Sequence, residues 1–261
     1  MQGKIIEYYE NYDEKGRLQR DNAHKVEFLT TVHYFNRLFK EKSIILDACA
    51  GTGTYSFYLA NKGHKVTACD LVKHNVEIIK ESHESEKLDD IRVCNVMDLS
   101  CFQAESFDVV LCMGALYHLK NESDKKKVID ECIRVLKSDG LLVLAYLNKF
   151  ACITANLNFG LTNIDEAMAI YHDTEDFVFT MTTPSKMKEL TEQCNLETVL
   201  RIGADGLAYV ISEKLNTAGA DNFDKWMNYH IATCEEPSIL GSSMHGLDIC
   251  KKYLPCTKVK P

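Results

Sequence analysis

The chain has 261 residues, a formal net charge of −8 and an apolar share of 46%, enough for one large α/β domain with a full core. That acidity argues against a surface built to track a nucleic-acid backbone, which takes clustered Lys and Arg. No apolar run nears the roughly 18 residues that span a bilayer. The charged start MQGKIIEYYENYDEKGR also lacks a signal-peptide core, so a soluble, cytoplasmic protein is expected.

Residues 1–40 open with IIEYYENYDEKGRL and continue as an amphipathic helix whose apolar face takes in Val26, Leu29 and Phe35. From residue 44 short apolar runs alternate with helical spacing. Strands are expected at 44–48, 65–69, 91–96, 107–112 and 141–146, with helices at 54–61, 74–82 and 124–136. Near-continuous apolar strands separated by helices form a parallel sheet covered on both faces, and right-handed crossovers make it a doubly wound, Rossmann-like α/β fold. The SDG at 138–140 reads as the turn that admits the fifth strand. Residues 148–183 show no clean alternation and read as a helical insert over the sheet's C-terminal edge. A helix after Pro184, a strand near 197–202, a helix near 223–234 and a strand near 246–250 finish the sheet. The expected division is an N-terminal helical lid at 1–40 and a main domain at 41–261, with 148–183 as its substrate side.

Eleven cysteines invite a metal or disulfide reading, but no two are three apart, so the C-x-x-C spacing of zinc and thioredoxin-like sites is missing. Cys69, Cys94 and Cys112 fall in or beside apolar runs, where cysteine acts as a small hydrophobe. Reduced thiols are expected, and with histidines scattered along the chain no metal site is.

The stretch ILDACAGTGTYSFYLA, residues 45–60, sets the ligand question. A P-loop needs Gly-Lys-Ser/Thr, and here Thr54 and Tyr55 follow Gly53. The dinucleotide fingerprint needs a third glycine where Ser56 stands. An acidic residue, Asp47, closes the first strand beside Gly51 and Gly53; it would repel a diphosphate and suit an ammonium group. Asp70 ends the second strand, where a carboxylate can accept ribose hydroxyls. Asp98 follows the third, within reach of an adenine amine. Adenine, ribose and an amino acid without phosphate describe S-adenosylmethionine.

The motifs at Asp47–Gly53, Cys69–Asp70, Val96–Asp98, FDVVLCMGALYHL (107–119) and RVLKSDGLLVLAY (134–146) together resemble class I S-adenosylmethionine-dependent methyltransferases, nearest the small-molecule enzymes of ubiquinone and menaquinone biosynthesis. The resemblance covers about residues 40–150. One departure is Cys49, where the family often has glycine. The resemblance implies a seven-stranded, mostly parallel sheet with its last strand antiparallel. It also implies a cofactor site of Asp47, Ala48, Gly51, Gly53, Asp70, Leu71, Met97, Asp98, Met113 and Gly114. S-adenosylhomocysteine would be the product.

A sulfonium methyl group is already electrophilic, so alignment and exclusion of water matter most, and a base is needed only for a protonated acceptor. Related nucleic-acid amino-methyltransferases carry Asn/Asp-Pro-Pro-aromatic after strand four; MGALYHL has no proline, which argues against a base amine as acceptor. Tyr117 and His118 follow strand four as candidate catalytic residues, or as pocket lining and a loop cap. Tyr146 and Asn148 end strand five as substrate-side candidates. Tyr8, Tyr9 and Tyr12 could form an aromatic lid or a helix merely packed on the sheet. Arg17, His172, Asp173 and His245 are further residues that could reach the cleft. The reading is methyl transfer to a small-molecule O, N or S acceptor; the alternatives are an RNA-modifying methyltransferase, a non-catalytic S-adenosylmethionine-binding protein and, more distantly, a nicotinamide oxidoreductase.

Overall fold

The computed structural model describes residues 2–12, 14–158, 160–174 and 177–253; the main-domain boundary drawn at 261 and the insert's residues 159, 175 and 176 lie outside these. The chain opens with α1 (Gln2–Asn11), a single 3-10 turn at Arg17–Gln19 and α2 (Asn22–Leu38). Then follow β1 (Ile44–Asp47), α3 (Thr54–Asn61), β2 (Lys65–Asp70), α4 (Lys73–Glu81), β3 (Asp90–Val93), β4 (Phe107–Cys112), α5 (Glu122–Val135) and β5 (Leu136–Leu147). The second half holds α6 (Lys149–Asn158), α7 (Ile164–His172), α8 (Pro184–Gln193), β6 (Leu196–Gly203), α9 (Ser212–Asn216), α10 (Ala220–Thr233), α11 (Pro237–Leu240) and β7 (His245–Lys252).

The seven strands lie in the order β3-β2-β1-β4-β5-β7-β6. The pairs from β3 to β5 are parallel, and β7 runs antiparallel to both β5 and β6. Alternate residues of one strand feed opposite faces. Leu142, Leu144 and Tyr146 of β5 join the core beneath α5 and α8, while Val143 joins the core beneath α2 and α3. Strand order reverses between β1 and β4, and a doubly wound sheet opens its ligand crevice at such a point.

Local chemistry sets the helix starts. The Asp21 carboxylate accepts from the His24 N–H at 3.0 Å and caps α2. Thr183 caps α8, with Pro184 in its first turn. The inward face of α2 differs from the apolar expectation. Leu29 is exposed, whereas Thr30 and Tyr34 turn inward because each finds a partner: His230 Nε2 at 3.0 Å and Glu235 Oε1 at 2.8 Å. The SDG segment is also not a turn. α5 ends at Val135 and β5 begins at once, taking up 138–140 where the register with β4 jumps from Phe107↔Leu136 to Val109↔Leu141. A Cβ on Gly140 would lie 2.8 Å from the Asp108 carbonyl, so the irregularity needs glycine there.

Candidate functional site

The turn after β1 is pinned from both sides. Ala48 N–H donates to Leu111 O of β4 at 2.9 Å, and Ala50 N–H to Cys69 O of β2 at 2.8 Å. Gly51 takes φ +53° and donates its N–H to Asp70 Oδ2 at 2.8 Å. The other oxygen of Asp70 accepts from Val72 N–H at 2.8 Å and the Asn75 amide at 3.3 Å. Asp70 thereby ties the glycine turn to the start of α4. Burial raises its pKa despite these bonds. Asp47 is buried beside it and accepts from the Ser56 hydroxyl at 2.7 Å; burial, with Asp70 as a nearby like charge, pushes its pKa up to about 7. Cys49 packs against Gly114, where an added Cβ would stand 2.8 Å from the Cys49 Cβ. Gly114 provides the space that glycine at position 49 would otherwise give.

These tips border a cleft of about 1310 Å³, its open mouth included. Asp47, Ala48, Gly51, Asp70, Leu71, Met97, Met113 and Gly114 all line it, with Tyr117 and His118. Gly53 and Asp98 do not. Gly53 has φ +89°, and a Cβ there would meet Phe57 at 2.9 Å, so it permits the start of α3 and not ligand approach. Asp98 is exposed and accepts from Ser100 N–H at 3.0 Å; Asn95 lines the cleft on that side instead. Among the described residues Arg17 is the only Lys or Arg lining this cleft, and it is already held by two carboxylates. Arg17 grips Glu27 through two nitrogens, at 2.7 and 3.2 Å, and Glu14 at 2.8 Å. Among the described residues no unengaged cation lines the cleft to meet a diphosphate, while Asp47 and Asp70 suit ammonium and hydroxyl groups. The residues fit S-adenosylmethionine better than a dinucleotide.

A second chamber of about 1230 Å³, its open mouth included, lies beyond, under α1, α6 and α7. Its walls are mostly aromatic and aliphatic, with Tyr8, Tyr12, Ile170, Phe177, Phe179 and Met181 among them. Among the described residues five line both chambers: Tyr9, Glu14, Arg17, Tyr117 and His245. Tyr146 and Asn148 line neither of these two. The Tyr146 ring lies on the opposite sheet face against Gly246, its hydroxyl buried without a partner. Strand parity explains this, since Leu142 and Leu144 share its face. Asn148 is fully buried and its amide donates to Leu240 O and Gly241 O at 2.8 and 3.0 Å, bracing the loop before β7. His172 also lines neither chamber, and Asp173 pairs with Lys149 at 2.5 Å.

His118 is buried, with Nδ1 3.0 Å from Val178 O and Nε2 3.1 Å from the Tyr9 hydroxyl. A carbonyl only accepts, so Nδ1 carries the proton and Nε2 takes the Tyr9 O–H. Burial lowers the His118 pKa and raises that of Tyr9. Tyr117 donates to Met113 O at 3.0 Å. His245 donates from Nδ1 to Asp205 Oδ2 at 2.6 Å, and Glu27 lies 3.6 Å from the same nitrogen. Of the residues that reading the sequence missed, Asn95 and Glu14 have charge or position alone to mark them. Asp205 lies 40 positions from His245 and carries no local signal. Among the described residues no group of three His, Cys, Asp or Glu could hold a metal, and no helix is long and apolar enough to cross a membrane.

Residues 46–144 match the family described as "Methyltransferase domain". A ubiquinone biosynthesis O-methyltransferase of Xanthomonas oryzae pv. oryzae (strain PXO99A) is 39% identical over 106 residues, 40% of this chain and 43% of that protein. The match thus spans less than half of that relative's length. Among solved structures, a SAM-dependent methyltransferase from Methanosarcina mazei superposes with a TM-score of 0.57 at 19% identity, covering 85% of this chain and 98% of that one. A geranyl diphosphate methyltransferase in complex with GPP and sinefungin gives 0.56 at 14% identity, covering 88% and 80%. These two likenesses show the fold.

Proposed function

We propose that the chain, whose residues 46–144 match a methyltransferase-domain family, is a class I S-adenosylmethionine-dependent methyltransferase that moves a methyl group from S-adenosylmethionine to a small-molecule acceptor in the second chamber. The observation that carries this is the pair of chambers meeting at Tyr9, Glu14, Arg17, Tyr117 and His245, one bordered by Asp47 and Asp70 and the other walled by apolar side chains. S-adenosylmethionine supplies a methyl carbon that is already electrophilic, so this chain's residues bind, align and keep water out. Asp47 receives the ammonium group, the free lone pairs of Asp70 receive the ribose hydroxyls, and Asn95 and Met97 flank the adenine. Glu14, Glu27, Asp47 and Asp70 line the first chamber against the one guanidinium of Arg17, which favours a sulfonium over a neutral thioether. α1 acts as the lid, with Tyr8, Tyr9 and Tyr12 over the acceptor. Oxygen is the acceptor atom favoured by the name of the Xanthomonas relative. The apolar chamber supports a small molecule over RNA, which would call for a basic groove.

Calorimetry with S-adenosylhomocysteine and with NAD tests the cofactor assignment. Binding of the first and not the second is expected, and Asp70→Asn should weaken it at least about tenfold. Tight NAD binding with no heat from S-adenosylhomocysteine would overturn the reading.

A further inference from the structure

We propose that His245, oriented by Asp205, is the general base that takes the proton from a phenolic hydroxyl acceptor where the two chambers meet. The inference rests on the methyl-transfer reading and adds to it the acceptor class and the residue that activates it.

Position comes first. His245 opens β7, paired with Leu147 of β5, and it is one of the five residues shared by both chambers. A group that removes a proton from the acceptor must stand at that junction. The other four shared residues are already committed. Tyr9 gives its hydroxyl to His118, Tyr117 gives its own to Met113 O, and Glu14 is bound to Arg17, which also holds Glu27. His118 has both ring nitrogens engaged and no carboxylate behind it.

His245 is set up differently. Asp205 is fully buried and fixed by the Ser243 hydroxyl at 2.5 Å and by the His245 N–H at 3.2 Å. It receives Nδ1–H at 2.6 Å, which fixes the tautomer and leaves Nε2 as the basic nitrogen. This is the orienting arrangement in which a carboxylate steadies an imidazole that must become imidazolium. The groups that face it are Asp205 from the loop after β6, Glu27 from α2, Arg17 from the turn before α2, and the Tyr209 ring at 5.8 Å. Burial by itself would lower the His245 pKa, but Glu27 and Asp205 outweigh it and raise it. In the step, the acceptor O–H bond breaks and the proton passes to Nε2. The electron pair stays on oxygen, and the imidazolium is balanced by Asp205 until its proton leaves to solvent. The aromatic and aliphatic walls of the second chamber select a planar, hydroxyl-bearing ring as the acceptor.

The test uses the full chain, its His245→Gln variant and two probes at pH 8, 4-methylphenol and the more acidic 4-nitrophenol. Release of S-adenosylhomocysteine follows turnover, and calorimetry follows S-adenosylhomocysteine binding. His245→Gln should bind S-adenosylhomocysteine within about threefold of the unaltered chain. It should lose roughly 10²-fold or more in turnover with 4-methylphenol and under about tenfold with 4-nitrophenol, which arrives ionised. NMR of the ring carbon of His245 gives an activity-free readout: its pKa should fall in Asp205→Asn. Equal losses with both phenols, or a His245 pKa unmoved by Asp205→Asn, would overturn the base assignment. Failure of the unaltered chain to turn over either phenol while it binds S-adenosylhomocysteine would overturn the acceptor class. Absence of S-adenosylhomocysteine binding in the unaltered chain would instead remove the reading beneath both.

Discussion

Replacing Glu27 with Gln removes the anion that gathers the charges at the junction, and its cost follows from the surroundings of that carboxylate. Burial would push the Glu27 carboxyl up, but the Arg17 guanidinium and His245, with the hydrogen bonds from Arg17, hold it at about 2 against an ordinary 4.5. At about 1.36 kcal/mol per tenfold change in acidity, that depression corresponds to about 3 kcal/mol of stability at neutral pH. The figure agrees with the roughly 3–5 kcal/mol lost when one partner of a buried ion pair is removed. A carboxyl depressed on folding contributes fully above its unfolded value and loses that contribution as the pH falls through its folded value. The gap between the unaltered chain and Glu27→Gln should therefore be about 3 kcal/mol at pH 7 and about 2 kcal/mol at pH 3.5. Chemical denaturation at the two pH values measures it. A gap under about 1 kcal/mol at pH 7, or one that widens in acid, would refute the argument.

Three further outcomes can be checked. With Asp47 at about 7 in the ligand-free cleft, an arriving ammonium should lower it. Binding of S-adenosylhomocysteine at pH 6.5 should then release roughly 0.7 of a proton, and almost none from Asp47 at pH 8.5. Calorimetry in buffers of differing ionisation enthalpy reads this, and equal release at both pH values would exclude Asp47 as the partner. Tyr146→Phe removes a buried hydroxyl that has no partner. It should leave turnover intact and stability unchanged or higher by about 1 kcal/mol, whereas a turnover loss above tenfold would return Tyr146 to the substrate side. Deleting residues 2–12 should spare the fold, seen as a cooperative melting transition, and cut turnover at least about 100-fold; unchanged turnover would rule out a lid. Removal through residue 20 would also strand Glu27 without Arg17, so the shorter deletion separates lid loss from ion-pair loss.

What could be read from residues alone was what short runs encode. β1, β2 and β4 announce themselves as apolar stretches bounded by punctuation, and the acidic residues that end β1 and β2 mark two strand tips. Spacing gave Gly51 and Gly53 equal standing, yet only Gly51 lines the cleft, because the second glycine leaves room for the Phe57 ring of α3. Asp98 looked like a continuation of the series, but its carboxylate turns back to its own loop at Ser100. Tyr146 could have been placed correctly, since period-two alternation puts it with Leu142 and Leu144. Two contacts had no sequence signal. Arg17 meets Glu27 across a turn, and His245 meets Asp205 only after β7 pairs antiparallel with β6.

The five residues common to both chambers act as a partition between two independently built rooms. The side bordered by Asp47 and Asp70 is fastened to β1, β2 and β4 through backbone bonds. The far side is papered mainly with side chains from α1, α6, α7 and the loop after them, outside the ladder of the sheet. Its furnishings can change without disturbing the strands. On the proposed methyl-transfer reading, a descendant of this chain could therefore exchange one methyl acceptor for another by drift along that wall alone, while keeping the donor end as inherited.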